Sequence, residues 1–192
     1  MLGSGEGTEV PDSLINSFAL VSYLPEPLAG FVDTLRREAH TDQNVEVRGH
    51  VTILPPRPLA CLAENAAADL EHAVVQLQPF YVELQEVKVF QRSDVLYLSI
   101  GEGAEGLKNL HEKLSIGRLR FLEYFDYHPH VTLAQFIPSD QVTKASEQAA
   151  EKWKTYTGPR RFLLDRVTLV QNTRHNHWRN LQEFLLSAQV PA

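Results

Sequence analysis

The chain has 192 residues, 43% of them apolar and 22% charged, with a net charge of −6. These are the proportions of an ordinary globular protein, long enough for one generous domain or one domain of two similar lobes. The acidic balance argues against a long nucleic-acid duplex as partner, because neutralising many phosphates takes a broad basic surface; a small phosphorylated ligand held by a local positive patch stays open. Twelve arginines against six lysines mildly favour fork-like phosphate contacts. Cys61 is the only cysteine, which excludes a disulfide framework and a cysteine metal site. No stretch approaches the length that spans a bilayer, and the opening MLGSGEGTEVPDS lacks the basic start and apolar core of a secretory signal. The expectation is a cytoplasmic monomer with no membrane partner.

Residues 1–16, rich in Gly, Ser and Glu, read as a flexible segment ahead of a single bilobal domain over 17–192. FALVSYLP, from Phe18 to Pro25, reads as a buried strand ended by proline. Leu28, Phe31, Leu35 and Ala39 recur at helical spacing and predict a helix from Pro27 to His40. Val45 to Leu54 alternates, with Val45, Val47, Val51 and Ile53 on one face and Glu46, Arg48, His50 and Thr52 on the other; Pro55 and Pro56 should stop it. Leu59, Leu62, Ala66, Leu70, Ala73 and Leu77 predict the next helix. Phe80–Phe90 and Val95–Ile100 read as a hairpin turned by QRSD.

A third helix follows over 105–116, then a strand over 128–136. Ser139 is placed to cap a fourth helix reaching residue 154. RFLLDRVTLVQ (Arg161 to Gln171) and Trp178 to Leu186 read as two strands of a closing hairpin. The order β-α-β-α-β occurs twice, at an offset near eighty, with one strand added. Duplication would place equivalent positions about a pseudo-twofold axis. Hairpins mixed with crossover helices imply an α+β architecture with mixed or antiparallel sheets, not a doubly wound parallel sheet.

The repeat carries a repeated phrase: His50-Val51-Thr52 and His130-Val131-Thr132. In a strand, residues i and i+2 share a face, so each copy offers an imidazole beside a hydroxyl. Imidazole titrates near neutrality, so two of them can serve as base and acid in one turnover. A threonine hydroxyl can donate to a non-bridging phosphate oxygen without adding charge. In-line displacement at phosphorus needs acid and base on opposite sides of the phosphate, which twofold-related strands would supply.

HVTIL and HPHVTLA, set in this repeat, resemble the 2H phosphoesterase superfamily, and within it the 2′-5′ RNA ligase and cyclic phosphodiesterase group. The resemblance covers about residues 17–187. It implies a two-lobed fold around a central cleft, and metal-independent chemistry without a cofactor. It also implies a nucleotide or RNA-terminus phosphoester as substrate, such as a 2′,3′-cyclic phosphate or a 2′-5′ linkage. By motif position His50 and His130 become the catalytic pair, with His50 the acid and His130 the base, and Thr52 and Thr132 the phosphate-binding hydroxyls. Gln135 stands where many relatives carry arginine, and Pro55-Pro56 where an aromatic is common.

Four further residues are candidates for substrate contact. Arg57 could pair with a phosphate, Tyr23 and Tyr127 could stack on a base, and His128 leads into the second motif. The alternative for each is structural, and surface roles are expected for Arg92, His40, His72 and His111, core positions for Trp153 and Trp178. His175 and His177 are expected to be solvated in a turn. His-x-His pairs at 128/130 and 175/177 lack a carboxylate at matching spacing, so no metal site is expected. A binding module that senses the same ligand without turnover is the competing function.

Overall fold

The computed structural model describes residues 12–39 and 47–187. Its elements in order are β1 (Leu14–Tyr23), α1 (Leu28–Ala39), β2 (His50–Arg57), α2 (Ala63–Val74), β3 (Phe80–Phe90), β4 (Val95–Ile100), α3 (Ala104–Leu114), β5 (His130–Ala134), α4 (Val142–Thr155), β6 (Arg161–Leu164), β7 (Arg166–Thr173) and β8 (Trp178–Leu185). They form two antiparallel four-stranded sheets, β2-β1-β7-β8 and β5-β4-β3-β6. The α+β two-lobed architecture read from the sequence is the one observed.

The duplicated blocks interlock. The third strand of each block leaves its own sheet: β3 pairs with β4, and β7 pairs with β1. Helices follow the same exchange, α1 touching β5 and α3 touching β2, while α2 lies on β8 and α4 on β3. Each lobe thus completes the other, and one apolar core runs through both, from Leu20, Ile53 and Leu70 to Leu98, Leu110 and Leu133. Burying one continuous core is what fixes the lobes against each other.

Several element boundaries differ from expectation for identifiable reasons. β1 starts at Leu14, opposite Thr173, so the end of the expected flexible segment is strand; the Gln171 amide donates to the Ile15 carbonyl and Asn16 exchanges two hydrogen bonds with Leu59. Residues 45 and 46 of the expected first motif strand lie outside the described residues, as does His40. β2 runs through Pro55-Pro56 to Arg57 instead of stopping, because it is an edge strand, where a missing N–H costs no ladder bond.

Leu59 and Leu77 are buried but lie outside α2, since apolar spacing reports burial and not helicity. Ser139 does not cap α4; Gln141 holds that position and the Ser139 hydroxyl donates to Asp94. The expected strand 161–171 breaks at Asp165, and its halves enter different sheets, β6 beside β3 and β7 beside β1.

Candidate active site

β2 and β5 are the edge strands of the two sheets and lie against each other. Alternation then decides what each side chain meets. Val51, Ile53, Val131 and Leu133 are fully buried in the common core. His50, Thr52, His130 and Thr132 turn the other way, half-buried, and all four line one cleft of about 970 Å³. Its floor on the first sheet is Ala19, Val21 and Val170, with Tyr23 and Trp178 beside them.

The two histidines are held in the same way. His50 Nδ1 lies 2.8 Å from the Arg48 carbonyl, and His130 Nδ1 lies 2.7 Å from the His128 carbonyl. A carbonyl only accepts, so each ring must donate through Nδ1 and the neutral tautomer leaves the Nε2 lone pair free. Burial pushes the His50 imidazole down to about 4; the bond to Arg48 opposes this, and Arg36 and His130 reinforce it. Burial also lowers His130; the bond to the His128 carbonyl opposes this, and the His128 imidazole slightly reinforces it. Both rings are therefore neutral at neutral pH in the ligand-free cleft. An anion bound between them would favour their charged forms.

Around His130 the second sheet builds an aromatic surround that the sequence did not reveal. Phe90 and Tyr97 stack with centroids 4.0 Å apart, and each meets His130 edge-on, at 5.1 and 5.5 Å. They come from β3 and β4, and only the sheet register, which sets Tyr97 opposite Thr132, brings them there. His128 shares this surround, 5.2 Å edge-on from Phe90, and lines the cleft.

Tyr23 also lines the cleft, opposite His50 in the β1–β2 register and edge-on to it at 6.3 Å; its hydroxyl donates to Asn180. Tyr127 reaches the cleft wall but is tied into the structure. Its hydroxyl donates to the Thr52 carbonyl at 2.7 Å, and its ring stacks on His111 at 4.2 Å. Burial raises this phenol above its ordinary value, which keeps it a donor.

Arg57, an expected phosphate contact, is engaged inside the protein. It is 2% exposed, and its guanidinium donates to Glu123 at 2.6 Å and to the carbonyls of Leu119 and Pro55. Arg57 ends β2, and the chain after Gly117–Leu119, a 3₁₀ turn, folds back over it.

Three minor expectations also change, and Arg92 is exposed as expected. His111 is no surface histidine: it bonds the Ile53 carbonyl through Nδ1 and sits 3.7 Å from Glu123. Trp178 is only partly buried and faces the cleft. Arg92, in the β3–β4 turn, is exposed on the cleft rim. His175 and His177 share the Asp12 carboxylate, at 3.1 and 2.8 Å, so the turn is tied to the chain before β1.

The segment between the 3₁₀ turn and β5 adds Phe121, Tyr124 and Phe125 to the cleft wall, Tyr124 being 89% exposed. Among the described residues the lining arginines are Arg36 and Arg92, and the lining carboxylates include Glu123 and Asp126. Among the described residues, no group of three or more His, Cys, Asp or Glu is arranged to hold a metal ion, and no helix is long and apolar enough to cross a membrane.

With this geometry in place, comparison with known proteins decides the family. Residues 24–176 match the 2′-5′ RNA ligase superfamily. The chain belongs to that superfamily. No curated protein matches the sequence. Among solved structures, Escherichia coli LigT complexed with NADP+ is 19% identical and superposes with a TM-score of 0.64, covering 92% of this chain and 100% of that one. A structure described as a phosphoesterase is 19% identical with a TM-score of 0.63, over 90% of this chain and 99% of its own. Kluyveromyces marxianus Usb1 with uridine monophosphate is 13% identical with a TM-score of 0.50, over 86% and 98%. At these identities the shared property is the superfamily fold, and it extends over nearly the whole chain.

Proposed function

We propose that the protein is a metal-independent phosphoesterase acting on 2′,3′-cyclic phosphate or 2′-5′ phosphodiester bonds of nucleotides or RNA ends. The observation that carries this reading is the matched pair of imidazoles. Each is locked by an Nδ1 donation that frees Nε2, on pseudo-twofold edge strands facing one cleft.

For a cyclic phosphate the steps follow from the groups present. A neutral Nε2 takes the proton of the attacking water as its oxygen bonds to phosphorus. The opposite ring, charged once the anionic substrate is bound, donates a proton to the departing ribose oxygen. Thr52 and Thr132 hydroxyls donate to the non-bridging oxygens, where negative charge accumulates. In ligation a 5′-hydroxyl takes the place of water: one ring takes its proton as its oxygen bonds to phosphorus, and the other protonates the departing ribose oxygen. Which ring is acid and which is base is left to the superfamily resemblance, which makes His50 the acid.

The cleft wall supports a base-bearing substrate, since Tyr23, Phe90, Tyr124 and Trp178 offer aromatic surface beside the phosphate position. Among the described residues the lining cations are Arg92 and Arg36, the latter already bonded to Asp33, and so few suit a ligand with few phosphates better than a long strand. LigT has been crystallised with NADP+, ATP, 3′-AMP and phosphate, and Usb1 with uridine monophosphate, which supports a nucleotide as ligand here.

One observation favours a second reading. Both imidazoles are held neutral in the free protein, and a pair that stayed neutral with ligand bound would bind a nucleotide terminus without supplying an acid. Turnover of 2′,3′-cyclic nucleotides, cyclic-phosphate RNA ends and 2′-5′ dinucleotides separates the two. The enzyme reading expects His50→Ala and His130→Ala each to lower kcat by about 10²- to 10⁴-fold. Unchanged rates in both variants would remove it, and tight binding with no product from the wild type would favour the binding module.

A further inference from the structure

The two motif phrases differ in the residue before the histidine: Gly49 in RGHVT and Pro129 in HPHVT. That difference has a mechanical consequence. Each histidine is oriented by the carbonyl two residues upstream, so the backbone path into the motif sets the ring. In the second copy Pro129 locks its own φ and restricts His128 before it. Glycine is the least restrained residue, and the first copy has no such lock in its own sequence.

The restraint comes from α1. Asp33 Oδ1 accepts the Gly49 N–H at 2.6 Å, and Arg36 Nη1 donates both to Asp33 at 3.2 Å and to the Val47 carbonyl. Leu24 N–H donates to the Gly49 carbonyl at 2.9 Å. A Cβ at position 49 would lie 3.1 Å from Val32 of α1 and 3.2 Å from Leu24 ahead of it, a crowding that glycine avoids. Arg36 is only 8% exposed, and its Nε has no hydrogen-bond partner among the described residues. A buried, incompletely satisfied guanidinium is costly to keep. At this place it grips the approach to His50.

We propose that Asp33 and Arg36 are positioning residues for His50: they hold residues 47–49 in the backbone path that presents the Arg48 carbonyl to the imidazole. The clamp does in the first lobe what Pro129 does in the second. It rests on the reading of His50 as a working residue of the cleft, and it makes the two histidines inequivalent. His50 has a cation and a carboxylate behind it on one helix, whereas His130 has an aromatic pair.

The charged and titratable groups facing His50 are Asp33 and Arg36 from α1, Tyr23 from β1, His130 from β5, and Arg48 on its own approach, over the Tyr23 ring at 5.6 Å. Arg36 and His130 favour the neutral ring, and Asp33 favours the charged one. Neutralising the two clamp residues singly must therefore move the His50 titration in opposite directions. General loosening of the site would move both variants the same way, toward ordinary histidine.

The test is a side-chain NMR titration of His50 in the full chain, with wild type, Asp33→Asn and Arg36→Met, alongside steady-state kinetics on a 2′,3′-cyclic nucleotide. Asp33→Asn should lower the His50 midpoint and Arg36→Met should raise it, each by about half a pH unit. Asp33→Ala, which deletes the acceptor for Gly49, should cost about tenfold or more in kcat with KM nearly unchanged. Asp33→Asn, whose amide oxygen can still accept, should recover most of that loss.

Midpoints rising together in both single variants, or a folded Asp33→Ala with unchanged kcat, would overturn the proposal. If Asp33→Ala fails to fold, Arg36→Met decides it, because loss of its bond to the Val47 carbonyl should lower kcat with KM nearly unchanged, and an unchanged kcat would overturn the proposal. The titrations need no substrate, so a His50→Ala variant that kept full turnover would remove the enzymatic reading while the clamp was judged on its own.

Discussion

Replacing Arg57 by methionine separates a structural tie from a ligand contact. The wild-type guanidinium is buried, with Glu123 at 2.6 Å and the Leu119 and Pro55 carbonyls each at 2.9 Å. Methionine fills most of the volume but leaves the Glu123 carboxylate, itself only 19% exposed, without its partner. Breaking a buried pair from one side costs about 3–5 kcal/mol, because the remaining charge stays desolvated. At about 2–4 °C per kcal/mol for a chain of this size, that predicts a Tm lower by roughly 6–20 °C.

The assay is urea and thermal denaturation of Arg57→Met, Glu123→Leu and the double variant. The double variant should recover part of the loss, since it leaves no unpaired charge, while the Leu119 and Pro55 carbonyls still lack the Arg57 donor. Kinetics measured well below the melting transition should show KM changed by less than about threefold, because the side chain does not line the cleft. An Arg57→Met protein within about 1 kcal/mol of wild type, with KM raised tenfold and kcat unchanged, would refute this reasoning and return Arg57 to the substrate.

Other expectations follow from particular contacts. With a folded-state value of about 4 against the ordinary 6.5, His50 binds fewer protons folded than unfolded between those limits. Its contribution to stability is full above 6.5 and is lost as pH falls toward 4, at most about 3 kcal/mol, and His50→Gln should flatten that part of a pH–stability curve. Tyr127→Phe removes the bond to the Thr52 carbonyl but keeps the stack on His111, so denaturation should show a loss of about 1–2 kcal/mol. Phe136 is 77% exposed at φ 61°, a left-handed conformation costing a bulky residue about 1–2 kcal/mol, so Phe136→Gly should raise Tm by a few degrees after glycine's own entropy is subtracted. Prolonged chelation should leave turnover of a cyclic nucleotide unchanged, which chromatographic separation of the cyclic substrate from its ring-opened monophosphate would read.

Local pattern alone located the motif strands, because alternation has a fixed period of two. Val51 and Val131 go to the core, so His50, Thr52, His130 and Thr132 must face the other way. The order of helices and strands, and the duplication behind it, were legible for the same reason. Which strand pairs with which was not. RFLLDRVTLVQ reads as one strand, and nothing in its composition marks Asp165 as the point where the chain changes sheets.

The site divides along the same line. Residue type and spacing along one strand named the two imidazoles and two hydroxyls. The fate of Arg57, Tyr127 and His111 hung on a segment sixty or more residues away from Arg57 in the chain, and Phe90 and Tyr97 reached His130 only through the pairing of β3, β4 and β5. Even the difference between Gly49 and Pro129 was visible as letters, while its meaning required Asp33 and Arg36 to arrive from α1. Side-chain direction along a strand is a property of the local backbone and can be read from sequence. Partners across strands and helices depend on how the core closes, and that is decided only when the whole chain packs.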